Sequence, residues 1–161
     1  MTTPTRPDRR LDPVLAALHA HPVKIHRPDA QRVPFVFSSP HSGRLYPECF
    51  VEQSRLDPLT LRRSEDAFVD SLFGGIVAFG APMIAARFPR AYLDVNRGAS
   101  ELDPGMFEGR LDVPVDSANA RVHAGLGVIP RIVRDGAEIY GEKISPRTGA
   151  GTDRALIQTL S

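Results

Sequence analysis

Short apolar runs broken by proline and glycine dominate the first half of the chain, with one longer stretch at helical spacing between them. Residues 33–38, with two valines and two phenylalanines, predict a buried strand. Pro34 falls near its start, where a strand tolerates a missing donor. Pro40 and Gly43 stop the run, so His41 belongs to the loop at its carboxyl end. That is where open α/β sheets bind ligands. Phe68, Val69, Leu72, Phe73, Ile76 and Val77 then recur at helical spacing. Ser64 would cap this helix, Glu65 and Asp66 suit the positive end of its dipole, and Gly80 would close it. Gly74-Gly75 inside the pattern weakens the helix and predicts close packing against a neighbour. Residues 82–86 and 91–95 predict two more short strands, joined by a turn at Phe88-Pro89.

Outside this region the signals are sparser. Residues 1–10 are rich in Thr, Pro and Arg and read as a disordered tail. Asp12-Pro13 reads as an N-cap followed by proline in the first turn, leading a short helix with Val14, Leu15 and Leu18 on one face. His19 and His21 form an H-x-H pair in a loop-like setting that reads as solvated. Asp135-Gly136, between apolar residues 128–133 and 137–140, is the clearest hairpin signal. Residues 145–161 carry Pro146, Gly149 and Gly151 with little apolar periodicity and read as a divergent, disordered tail. The domain is therefore expected over residues 11–144.

Composition narrows the function classes. A chain of 161 residues can bury one core, and its apolar and charged fractions are those of an ordinary globular protein. The formal charge of +1 argues against a nucleic-acid binder with a broad basic surface, although local arginine clusters could hold a small anion. The single cysteine, Cys49, excludes an internal disulfide and fits a reducing compartment. No apolar run reaches membrane-spanning length, and no signal-peptide core follows the start, so a cytoplasmic protein is expected.

Three polar clusters sit at the ends of the apolar runs and could carry chemistry. They are Ser39-Pro40-His41-Ser42-Gly43, Ser64-Glu65-Asp66, and the strand-end group Asp94, Asn96 and Arg97 preceded by Phe88-Pro89-Arg90. Together they offer a ligand-type histidine, carboxylates and guanidinium groups. Arginine grips carboxylates with a planar two-pronged fork. A metal-dependent hydrolase of an acidic substrate needs these residue types.

Read in order, these strings resemble the N-formylglutamate amidohydrolase family. The resemblance also takes in Arg63 with Ser64-Glu65-Asp66, Val69-Asp70, Gly80-Ala81-Pro82 and Leu93-Asp94-Val95-Asn96-Arg97. Glu101-Leu102-Asp103-Pro104 with Met106-Phe107, and the stretch 125–131, extend it across residues 33–143. It implies an α/β fold, three-layer α/β/α with a mixed sheet, related to zinc carboxypeptidases and aspartoacylases. It also implies a Zn2+-dependent amidohydrolase that releases formate from N-formyl-L-glutamate, a small acidic substrate, in histidine breakdown.

Carried over by position, the resemblance makes His41 a zinc ligand and a carboxylate of Glu65-Asp66 the second, with Asp66 favoured. Asn96 and Arg97 resemble the pair that grips a substrate carboxylate, and Arg90 resembles the arginine that stabilises the oxyanion. Aspartoacylases use an H-x-x-E ligand pair, whereas Arg44 stands three residues beyond His41 here. The family continues for about as much chain again, including a further ligand histidine and a general base. An incomplete version of the fold is thus expected, and with it the alternative of a catalytically inactive remnant or binding module.

Overall fold

The structure is a computed structural model that describes residues 12–144. The two tails expected to be disordered, residues 1–10 and 145–161, lie outside the described residues. The elements run α1 Pro13–Ala20, β1 Val23–His26, β2 Phe37–Ser39, α2 Glu48–Gln53, α3 Pro58–Leu61, α4 Val69–Phe73, β3 Met83–Ala86 and α5 Ala120–His123. Short 3-10 turns link several of them, including Arg62–Ser64 and Gly74–Phe79. The class is mixed α/β, built on a small mixed sheet rather than a visible three-layer stack. Its strand order is β1-β3-β2, with β1 antiparallel and β2 parallel to β3.

Central β3 is the most buried strand, as its Met-Ile-Ala-Ala sequence allows. Edge strand β2 is shorter than the apolar run predicts, because only Phe37, Ser38 and Ser39 pair with β3. Phe35, Val36 and Phe37 are exposed, so the hydrophobicity of the run does not mark burial among the described residues. Helix α1 forms as its cap predicts: Asp12 accepts from the backbone N–H groups of Val14 and Leu15, and Leu18 is fully buried. The other Asp12 oxygen accepts from the Glu48 N–H, which ties the start of α1 to the start of α2.

Two further expectations need correction. The single helix from Ser64 to Gly80 is instead a 3-10 turn, a break, the short α4 and a second 3-10 turn. Phe68 takes a left-handed backbone at φ 64°, which interrupts any continuous helix. Gly80 does close the stretch in a left-handed conformation, φ 87°. The apolar face of this segment is open: Phe68, Leu72 and Phe79 are 61%, 77% and 77% exposed. Among the described residues a Cβ at Gly74 or Gly75 would meet nothing within 4 Å, so none of them supplies the close packing expected there.

Residues 91–95, expected as a strand, instead form a tight turn. Tyr92 and Leu93 both donate to the Pro89 carbonyl. Ala91, Tyr92, Leu93 and Asp94 are all buried, a run of burial that alternation in a half-exposed strand would not give. Phe50, Phe88, Leu102 and Ile139 centre the core beneath them. Phe50 contacts the rings of Tyr46, Tyr92 and Tyr140 at centroid distances of 5.2–6.2 Å. The Asp135-Gly136 signal resolves as a tight turn with both residues left-handed, closed by Val133 donating to Ala137 and Ile139 donating to Arg131.

Candidate active site

His41 lies just beyond the carboxyl end of β2, on the loop the sequence predicts. The loop is held from two sides. Asp66 donates its backbone N–H to the His41 carbonyl at 3.0 Å, and Asp70 donates to the Ser42 hydroxyl at 3.2 Å. The Ser39 and Ser42 hydroxyls bond to each other, and Arg44 reaches both oxygens of Asp70. On the opposite side Gly43 presses against the end of β3. A Cβ there would fall 2.0 Å from the Phe88 carbonyl oxygen, so this position requires glycine.

The imidazole is buried and faces a carboxylate at each nitrogen. Nε2 is 2.8 Å from Oδ1 of Asp94, and Nδ1 is 3.3 Å from Oδ2 of Asp66. Asp94 is 2% exposed and also accepts from Arg90 Nε and from the Asn96 backbone N–H, each at 3.0 Å. Burial is the largest influence on this carboxyl and pushes its pKa up. The His41 bond, the Asn96 N–H and the Arg90 charge outweigh it and hold the group down at about 2. Asp94 is therefore an anion that fixes the ring of His41. Asp66, by contrast, is half exposed and borders open space.

That space is a cavity of about 400 Å³, bordered by Arg63, Ser64, Glu65, Asp66, Arg90 and Asp94 on its polar side. Leu126, Pro130, Ile132 and Arg134 complete the wall. Glu65 turns its carboxylate to other partners: Tyr46 donates its hydroxyl to Oε1 at 2.7 Å, and Arg62 bonds both oxygens. Of the two expected carboxylates, Asp66 is thus the one set beside His41. Burial, then the Glu65 bond, push the Tyr46 phenol well above its ordinary pKa.

The expected carboxylate grip looks different in place. Arg97 donates from Nε to the Leu126 carbonyl and from another guanidinium nitrogen to the Asn96 carbonyl. Neither Asn96 nor Arg97 borders the cavity. Arg90 does, while holding Asp94. The residues that local patterning missed are Asp94 as the partner of His41, and Arg63 and Arg134 in the cavity wall. Fifty-three positions separate His41 from Asp94, and no sequence spacing signals that pairing.

Two ligand atoms bound tetrahedrally to zinc at about 2 Å each sit about 3.3 Å apart. The 3.3 Å between His41 Nδ1 and Asp66 Oδ2 matches that separation. Ligating histidines also typically engage a carboxylate through the other ring nitrogen, as His41 does with Asp94. The pair thus fits two ligand positions. Among the described residues, no group of three His, Cys, Asp or Glu can hold a metal.

A family profile for N-formylglutamate amidohydrolase matches residues 33–155. The chain belongs to that family. No curated protein matches it. Among solved structures it is similar to the crystal structure of N-formylglutamate amidohydrolase from Ralstonia eutropha, with a TM-score of 0.71 and 31% identity. The alignment covers 86% of this chain and 50% of that one, so the chain spans about half the length of its solved relative. Among the described residues no helix is long and apolar enough to cross a membrane.

Proposed function

We propose that the chain serves zinc-dependent hydrolysis of the formyl amide of N-formyl-L-glutamate, yielding formate and glutamate. The observation that carries this reading is His41, clasped by buried Asp94 on one nitrogen and set beside Asp66 on the other, at a cavity bordered by Arg90. His41 and Asp66 would hold the metal, which when bound supplies an activated water near neutral pH. Asp94 fixes the tautomer and direction of the imidazole, so that Nδ1 presents its lone pair toward Asp66. Arg90, steadied by its bond to Asp94, offers fixed positive charge to the oxygen that becomes anionic as the amide carbonyl is attacked. Loop 39–44 holds the histidine in place through its bonds to Asp66 and Asp70.

One observation favours a second reading of the 161-residue chain alone, as a non-catalytic module of the same fold. Catalytic zinc takes three protein ligands and a water, and the described residues provide two at convincing positions. Zinc per chain and formate release from N-formyl-L-glutamate, measured together, separate the two readings. Turnover with about one zinc per chain, abolished in His41→Ala, supports the hydrolase. Weak zinc retention that depends on His41 and Asp66, without formate release, supports the module. Zinc binding unchanged in both His41→Ala and Asp66→Asn overturns the assigned centre.

A further inference from the structure

Phe68 is one of two non-glycine residues with a left-handed backbone among the described residues, at φ 64°. A bulky side chain holds that conformation only where its surroundings impose it. Burial does not impose it here, because Phe68 is 61% exposed. The constraint comes from contacts on either side of it. Ahead of Phe68, Asp66 donates its N–H to the His41 carbonyl at 3.0 Å. Beyond it, Asp70 donates its N–H to the buried Ser42 hydroxyl at 3.2 Å. The kink falls between these two contacts and leaves Asp66 ahead of α4, where its carboxylate meets His41.

A third link joins the same two segments. One guanidinium nitrogen of Arg44 reaches both oxygens of Asp70, at 3.1 and 3.3 Å. The guanidinium also lies 5.1 Å from the centre of the Phe68 ring, within cation–π range. Both charged partners are more than a quarter exposed, so the pair adds little to the stability of the whole fold. Its effect is local. Arg44 stands three residues beyond His41 and Asp70 four beyond Asp66, so their contact closes a ring with the His41–Asp66 backbone bond. The Ser42–Asp70 bond crosses inside that ring.

We propose that Arg44 and Asp70 are positioning residues for the His41–Asp66 pair. Their ion pair, covered by the Phe68 ring, clamps loop 39–44 to residues 66–70 and so sets the 3.3 Å between His41 Nδ1 and Asp66 Oδ2. The role of the clamp at a metal rests on the hydrolase reading; its presence does not. Backbone amide hydrogen exchange, followed by NMR on the EDTA-treated full chain, reads the clamp itself. In Arg44→Gln and in Asp70→Asn the Asp66 amide exchanges about fivefold faster, as loss of an exposed ion pair allows, while the amides of β3 keep their rates. Zinc affinity, read by competition with a chromophoric chelator, falls about tenfold in both variants, as for other residues that orient metal ligands. Removing a positive charge from the loop that bears a ligand would by its field alone tighten zinc, so weakening in Arg44→Gln reports position rather than charge. Arg44→Lys restores part of both effects, since an ammonium can make the single-nitrogen contact. Arg55→Gln breaks the exposed pair with Glu138 elsewhere and changes neither. Unchanged Asp66 exchange in both variants overturns the clamp, and so does equal acceleration across β3, which marks a general loss of stability. Faster Asp66 exchange with a zinc affinity that depends on His41 but not on Arg44 or Asp70 overturns the positioning role and leaves the hydrolase reading standing. Faster Asp66 exchange with zinc binding indifferent to His41→Ala supports the clamp and counts against the hydrolase reading alone.

Discussion

Asp94→Asn tests the centre of the site with almost no change of volume. The carboxylate is 2% exposed and meets His41 Nε2 at 2.8 Å, Arg90 Nε at 3.0 Å and the Asn96 N–H at 3.0 Å. Burial alone would raise its pKa, yet these partners bring it from 3.8 to about 2. Just under two pH units, at about 1.4 kcal/mol each, correspond to about 2.5 kcal/mol of folding stability. Because the folded pKa lies below the unfolded one, that stabilisation is complete above about pH 4 and is lost as pH falls through about 2. Each kcal/mol moves the midpoint of a domain this size by about 2–4 °C, so the variant should melt about 5–10 °C lower at neutral pH. The assay is thermal unfolding by circular dichroism of EDTA-treated wild type and variant, from pH 7 down to pH 2. Both proteins share their other carboxylates, so the difference between the curves isolates Asp94. The gap should narrow between about pH 4 and 2. A gap under about 1 °C at pH 7, or one that stays constant to pH 2, would refute the account of a buried, stabilised anion.

Glycine substitutions should have opposite signs at two positions. Gly43→Ala drives a Cβ into backbone at 2.0–2.5 Å and should cost about 3 kcal/mol in urea unfolding. Gly74→Ala, in open space at helical φ and ψ, should stabilise by about 0.5–1 kcal/mol. The open apolar face offers a third test: Leu72→Lys with Phe79→Lys should raise the monomer fraction in light scattering, since both side chains are 77% exposed. Their effect on the unfolding free energy should stay within about 0.5 kcal/mol, as for other exposed positions.

Sequence alone carried the local chemistry. Asp12-Pro13 announced α1 because a cap and its first turn are set by neighbours in the chain. Asp135-Gly136 announced its turn because so few residues accept a left-handed backbone. Pro40 and Gly43 placed His41 beyond a strand end, and the order of the rare polar strings pointed to the family that the profile match then established. These signals act over a few residues, or are copied intact as motifs.

Tertiary structure decided the rest. The helical spacing from Phe68 to Val77 marked one apolar face, but periodicity cannot say whether a partner covers it; here the segment breaks at Phe68 and the face stays open. The run 91–95 looked like a strand because it is apolar, and became a buried turn because Pro89 accepts two of its N–H groups. The resemblance favoured Asp66 over Glu65, but nothing in their local sequence separated the two acids. Only folding gave Glu65 to Tyr46 and Arg62 and set Asp66 beside His41. The pairing of His41 with Asp94 joins residues 53 positions apart, and the wall of one cavity draws on segments as distant as Arg63 and Arg134. Contacts at that range depend on how the chain packs, because a side chain's charge and hydrogen bonds act only over the few ångströms that the fold brings to it.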